Sequence, residues 1–136
     1  MVELFDGFIA AVSTETGIHF KKEADGRYQA RVEFEGGRHQ AVLVTLDEDE
    51  VGDPLISYFS IVAKKVRDDL KLFKEALELN ASLTYGTLAF IDSSFILKHV
   101  NLLENLDPQR FIKSFLYIAA KADELEELLN PEQDKF

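Results

Sequence analysis

Cysteine is missing from the 136-residue sequence, and so is any long apolar run. The first absence excludes disulfides, thiolate metal sites and a cysteine nucleophile, and it fits a reducing compartment. The second excludes a membrane-spanning helix, which needs roughly 18 consecutive apolar residues. Positions 1–6 (MVELFD) contain acidic residues, whereas a signal peptide has a basic segment at its start. We therefore expect a cytoplasmic protein that does not associate with membranes.

Motifs of catalysis are also missing. The sequence has neither the GxSxG turn of hydrolases nor the glycine-rich loops that hold phosphates. His19, His39 and His99 lack the local spacing of metal ligands, and the acidic run 47–53 (DEDEVGD) lacks the register of a calcium loop. These absences predict a protein that is not an enzyme and has no cofactor and no metal. Convergence of the three histidines with carboxylates in a pocket remains the alternative.

The formal net charge of −10 is unevenly distributed. Most of it comes from the loop 47–53 and from residues 121–136, so the rest of the chain is nearly neutral. Repulsion of phosphates makes nucleic acid an unexpected partner. A basic stripe is interpreted as a solvated helix face paired with Glu75 and Glu78; it consists of Lys64, Arg67, Lys71 and Lys74.

The first half of the chain predicts a helix followed by four extended segments. A hydrophobic content of 46% with eleven Phe indicates one folded domain over residues 1–136. Helical spacing ends at Gly17, a typical C-cap residue. Alternation from Tyr28 to Phe34 predicts a strand with one wet face. Turns at 25–26 and 36–37 separate extended segments at about 18–23, 28–34, 38–46 and 54–63, which predicts an antiparallel meander.

The second half predicts a helix, a hairpin and a last helix. The second helix spans about residues 67–80, and the hairpin pairs 87–91 with 95–100. Asp107-Pro108 opens the last helix, since Asp caps free amides and Pro suits the first helical position. Asn130-Pro131 closes it, leaving a tail at 131–136. The order α-β-β-β-(β)-α-β-β-α predicts an α+β fold with helices on one face of an antiparallel sheet.

Two segments carry more apolar surface than one core face needs. On the second helix, Val66, Leu70, Phe73 and Leu77 form a stripe expected in the core, while Leu72, Ala76 and Leu79 form another. The strand at 55–62 is apolar on both faces. Either these surfaces are buried within one chain, or they contact a partner or a second copy. For contact with another chain the sequence suggests Ile56, Tyr58, Ser60, Leu72, Ala76 and Leu79.

The last 70 residues resemble a known family. The pattern L-N-x-x-L-x-Y-G-x-L-A-F-x-D begins at Leu79 and ends at Asp92, and Leu106-Asp107 and the ADELE run at 122–126 follow it. It is similar to the bacterial type III secretion chaperone-like proteins, and in particular to their YbjN branch, described as sensory transduction regulators. The resemblance implies an α+β domain, commonly a homodimer, that binds protein segments and performs no chemistry. One departure is the extended segment at 18–23, because the chaperone pattern has three strands before its second helix.

These observations predict a non-enzymatic, homodimeric module that binds an extended or partly unfolded protein segment. Pairing of such a segment with an exposed strand edge would provide main-chain hydrogen bonds. The alternative is a YbjN-like regulatory or small-ligand-binding domain without chaperone activity.

Overall fold

Residues 1–129 are described by a computed structural model, in which three α-helices pack against one antiparallel sheet. The helices are α1 (Val2–Thr16), α2 (Leu70–Asn80) and α3 (Pro108–Leu129). The strands are β1 (Phe20–Ala24), β2 (Arg27–Glu33), β3 (His39–Glu48), β4 (Pro54–Ala63), β5 (Thr87–Ile91) and β6 (Ser94–Leu102). The predicted fold class and element order are confirmed, including the strand that departs from the chaperone pattern. The predicted stop at Asn130-Pro131 and the tail 131–136 lie outside the described residues.

The six strands are arranged in the order β1-β2-β3-β4-β6-β5. The first four form the predicted meander, and the second hairpin joins it through β6, which pairs with β4. Tyr58 of β4 lies between Val44 of β3 and His99 of β6. Strand β4 is therefore central, with β1 and β5 at the two edges.

The helix ends follow the expected capping chemistry. Gly17 adopts the left-handed conformation at φ 72°, and its N–H donates to the Ser13 carbonyl at 2.8 Å. The Asp107 carboxylate accepts from the Gln109 N–H at 3.1 Å, so α3 begins at Pro108 as predicted. Helix α2 begins later than predicted because Asp69 is extended and caps the N–H groups of the first turn.

The core lies between the sheet and α3. The predicted stripe of α3 is buried along its whole length and packs over the inward residues of β3 and β4. Helix α1 is held on the same side by Phe8, which meets Phe111 edge-on at 5.4 Å, and by Phe5 against Tyr28 at 5.6 Å. The buried α3 residues are Phe111, Phe115, Ile118, Ala122, Leu125 and Leu129.

The orientation of helix α2 differs from the one that the sequence predicts. Leu70 and Leu77, expected in the core, are 85% and 71% exposed. Ala76 of the second stripe is instead buried, and Phe73 packs on Phe90 and Phe95 of the hairpin. Leu72, Leu79 and Val66 also pack against the core. The helix therefore turns the second stripe toward its own sheet and leaves part of the first stripe open.

Candidate functional site

The helices cover only one face of the sheet within residues 1–129. Contacts of α1 with Tyr28, of α3 with Tyr58 and of α2 with Phe95 all involve residues on that same face. Because successive strand residues point to opposite sides, the alternate positions point away from every described helix. The sequence allowed for helices on both sides of β4, and this arrangement leaves one side of β4 open.

The open side of the sheet has an apolar half, which we call the uncovered face. Leu43 lies directly opposite Phe59, and Ile61 opposite Ile96, so their side chains form a continuous surface across three strands. Leu102 is 56% exposed at one end. A concavity of about 440 Å³ lies on this surface. The uncovered face consists of Leu43, Leu55, Phe59, Ile61, Ile91, Ile96, Val100 and Leu102.

The remaining half of the same side is polar. In β1 and β2 the outward positions are exposed and carry charges of both signs or an amide. Lys98 of β6, paired with Phe59, places a cation beside the uncovered face. An apolar centre with a charged margin is the composition found at protein interfaces. The polar half comprises Lys21, Arg27, Gln29, Arg31 and Glu33.

Tyr58 fixes the central strand beneath α3. Its hydroxyl lies 2.6 Å from Asn101 Oδ1 and 2.5 Å from Ser114 Oγ. The tyrosine hydroxyl donates to Asn101 Oδ1 and shares a second hydrogen bond with Ser114, whose hydroxyl also lies 3.2 Å from the Arg110 and Phe111 carbonyls. Burial raises the pKa of Tyr58 to about 12, despite the opposing effect of the hydrogen bond with Ser114. The neutral phenol therefore serves as a rigid support for the open side of β4.

The six residues suggested for contact with another chain occupy two places. Ile56, Tyr58 and Ser60 are fully buried under α3. In α2, Ala76 is buried against the chain's own sheet, as Leu72 and Leu79 are in part. Contact of these six with another chain stays a prediction.

Other residues provide the accessible apolar surface. On β4 it is formed by Leu55, Phe59 and Ile61, and on α2 by Leu70 and Leu77. Strand β4 is apolar at both its odd and its even positions. The sequence therefore indicates extra apolar surface on this strand but not which of its two faces is accessible.

The histidines have separate environments. His39 contacts Arg31 at 3.3 Å, and His19 is exposed before β1. His99 packs edge-on against Tyr58 and Tyr85, and its Nδ1 accepts from the Gly86 N–H at 3.0 Å. Burial lowers the pKa of His99. Among the described residues no group of three or more His, Asp or Glu side chains is arranged to hold a metal.

The acidic loop and the basic stripe carry local structure. Asp49 accepts from the N–H groups of Val51 and Asp53, which closes the turn between β3 and β4. The stripe's expected pairing with Glu75 and Glu78 is not formed in the part of the chain that the structure describes, and Lys64 precedes α2. No helix within residues 1–129 combines the length and apolarity needed to cross a membrane.

The fold is similar to that of a solved chaperone complex. No protein-family model matches the sequence, and no curated protein matches it. One chain in the structure of the HopA1–SchA chaperone–effector complex superposes with a TM-score of 0.58 at 12% sequence identity. The match covers 93% of this chain and 95% of that chain. The chain therefore has a chaperone-like α+β fold.

Proposed function

We propose that this protein is a non-enzymatic, chaperone-like module that binds an extended segment of another protein on the uncovered face. The observation that carries the proposal is a row of apolar side chains on three adjacent strands, with no helix of residues 1–129 over it. Contiguous apolar surface of this kind on a folded protein is characteristic of an interaction site. The chaperone-like fold supports the same class of function.

The shape of the surface favours a polypeptide over a small ligand. The apolar residues extend from Leu43 on β3 across β4 to Val100 on β6. A segment lying across these strands would place alternate side chains on Phe59 and its neighbours, while the charged margin would contact its polar groups. The concavity of about 440 Å³ accommodates part of such a segment rather than enclosing it.

We also propose that the chain forms a homodimer through α2. Leu70 and Leu77 lie seven residues apart, two helical turns, on the open side of a short helix. Phe90 of the neighbouring edge strand, which packs on Phe73 of α2, is 39% exposed. A second α2 packed on this apolar surface would remove it from water.

Peptide selection tests segment binding. The complete chain would be used as bait for a displayed library of random dodecapeptides, and the selected peptides would be synthesised with a fluorescent label. We expect Phe59→Ser and Val100→Ser to weaken their binding by roughly tenfold or more, because Phe59 lies at the centre of the uncovered face and Val100 on its β6 side. Fluorescence anisotropy would give the dissociation constants, and circular dichroism would verify folding.

Leu128→Ser is the matched control, since Leu128 is 57% exposed on α3 and lies on the helical side of the sheet. This variant should bind the peptides as the unchanged chain does. Failure to enrich any peptide over an unrelated bait would contradict the proposal. Equal binding by the Phe59, Val100 and Leu128 variants would move the site away from the uncovered face.

A further inference from the structure

A cleft opens in the sheet where β3 and β4 separate. Their pairing ends at Leu43 opposite Phe59, although β3 begins at His39 and β4 continues to Ala63. In this stretch β3 remains paired with β2 only, and β4 with β6 only. The register of β4 against β6 also shifts in this stretch, between Ile61 and Ala63, as at a β-bulge. The cleft has a volume of about 560 Å³.

Side chains rather than backbone pairs join the strands at the inner end of this cleft. Gln40 Nε2 donates to the Ile61 carbonyl at 3.1 Å and to Ser60 Oγ at 2.8 Å. The Ser60 hydroxyl donates to the Ala41 carbonyl at 2.6 Å. The cleft is therefore a maintained feature of the sheet, since these bonds replace the missing ladder and hold the two strands at a fixed separation.

One buried acceptor in the cleft has no donor. Gln40 is only 5% exposed, and its Oε1 has no hydrogen-bond partner among the described residues. Folded proteins rarely leave a buried carbonyl oxygen unpaired, because water is lost without replacement. An N–H group entering the cleft would satisfy it.

The mouth of the cleft is basic. Lys64 and Lys65 follow β4 and are exposed, with no ion pair in the described part of the chain. His39 and Glu126 of α3 also line the cleft, so two lysines stand there against one acid. Two unpaired ammonium groups at one mouth, in a chain of net charge −10, favour an occupant that carries negative charge there.

We propose that this cleft receives one end of the bound protein segment as an extended strand. A main-chain N–H of the segment donates to Gln40 Oε1, and an acidic side chain of the segment pairs with Lys64 and Lys65. The inference rests on the proposed function, because Leu43 and Ile61 belong both to the uncovered face and to the cleft. A segment crossing the uncovered face thus reaches the cleft at that end, and it contacts Gln40, which lies at a helix-facing position of β3, by passing between the separated strands β3 and β4.

The labelled peptides selected above test this proposal in the complete chain. We expect them to be enriched in Asp or Glu near one end, and Lys64→Glu to weaken their binding roughly tenfold. Lys113→Glu makes the same charge change on an exposed position of α3 outside the cleft and should have little effect. Exchanging the acidic peptide residue for Lys should restore binding to Lys64→Glu. Gln40→Met should also weaken binding, and thermal unfolding would verify that this variant folds.

The outcomes separate the two proposals. Peptides that need Phe59 but bind the Lys64 and Gln40 variants unchanged would overturn the cleft assignment and leave segment binding in place. No selectable peptide would overturn both. Tighter binding in a chain ending at Leu129 than in the complete chain would assign the cleft to this chain's own residues 130–136 and overturn its assignment to a partner.

Discussion

At the scale of single residues, Gly86 shows how closely the turn into β5 meets the core. Its φ is +82°, and its N–H donates to His99 Nδ1. A Cβ added there would lie 2.5 Å from Ile118 Cδ1 and 3.0 Å from the Lys98 carbonyl oxygen. Glycine is therefore required both by the conformation of the turn and by the space around it.

Gly86→Ala is expected to lower the free energy of unfolding by roughly 2–5 kcal/mol, from left-handed strain and overpacking together. Gly36→Ala is the control, because Gly36 has φ +81° but no atom within 4 Å of the added Cβ. The Gly36→Ala variant should lose only about 1–2 kcal/mol of unfolding free energy, which is the cost of the left-handed strain alone. Urea unfolding at pH 7 measures both. Equal losses in the two variants would show that contact with Ile118 contributes nothing.

His99 makes stability depend on pH. Burial holds its pKa in the folded chain below the ordinary value of 6.5, so the unfolded chain takes up the proton first as the pH falls. The stabilisation is present above pH 6.5 and is lost as the pH decreases from 6.5 toward the folded-state pKa. Replacing His99 by Gln should reduce the decrease in unfolding free energy between pH 7.5 and 5.5, measured by urea unfolding. His19→Gln, at an exposed position, should keep that decrease, and an unchanged decrease in His99→Gln would exclude His99 as its source.

At the scale of elements, α2 packs against the hairpin at one edge of the sheet, and Asn80 provides a polar contact there. Its Oδ1 accepts from the Leu88 N–H at 2.6 Å, and its Nδ2 donates to the Leu88 carbonyl at 3.2 Å. The side-chain amide thus pairs with β5 as a neighbouring strand would. The last residue of α2 is thereby fixed to the edge of the sheet.

Asn80→Ala should loosen α2 without unfolding the rest of the sheet. Loss of the two hydrogen bonds leaves both polar groups of Leu88 without these partners, at a cost of about 1–3 kcal/mol. Hydrogen exchange should accelerate roughly tenfold or more at the amides of α2 and β5, while those of β3 and β4 keep their rates. Ser82→Ala removes an exposed hydroxyl bond at the same helix end and should leave exchange unchanged. Uniform acceleration over all strands would refute local anchoring.

The same two elements show what the sequence determines and what it leaves open. The bounds of β4 at Pro54 and Ala63 and the cap at Gly17 are predictable from the sequence. Turn residues, capping residues and alternation determine them, and all of these are local features. Which apolar stripe of α2 meets the sheet depends on the tertiary anchor at Asn80, so Leu70 and Leu77 were assigned to the wrong side. The cleft follows from strand pairing, which alternation in one strand does not specify.

At the scale of the whole molecule, the apolar surface of α2 predicts self-association. Sedimentation equilibrium across a concentration series should show a dimer near twice 15.4 kDa. Leu77→Glu should give monomers with unchanged stability, because Leu77 is exposed and a charge would be buried on association. Leu72 lies against the core, so Leu72→Glu should instead lower stability. A chain that is monomeric at every concentration would exclude the dimer.

The position of α3 as the last described element has a consequence for synthesis on the ribosome. The meander of β1 to β4 leaves the exit tunnel well before residues 108–129, which later bury Val42, Val44, Ile56 and Tyr58. During that interval the nascent sheet lacks its α3 cover on one side and any described helix on the other. A mutation that slows translation between β4 and α3 would therefore lengthen exposure to aggregation and proteolysis without altering the finished protein.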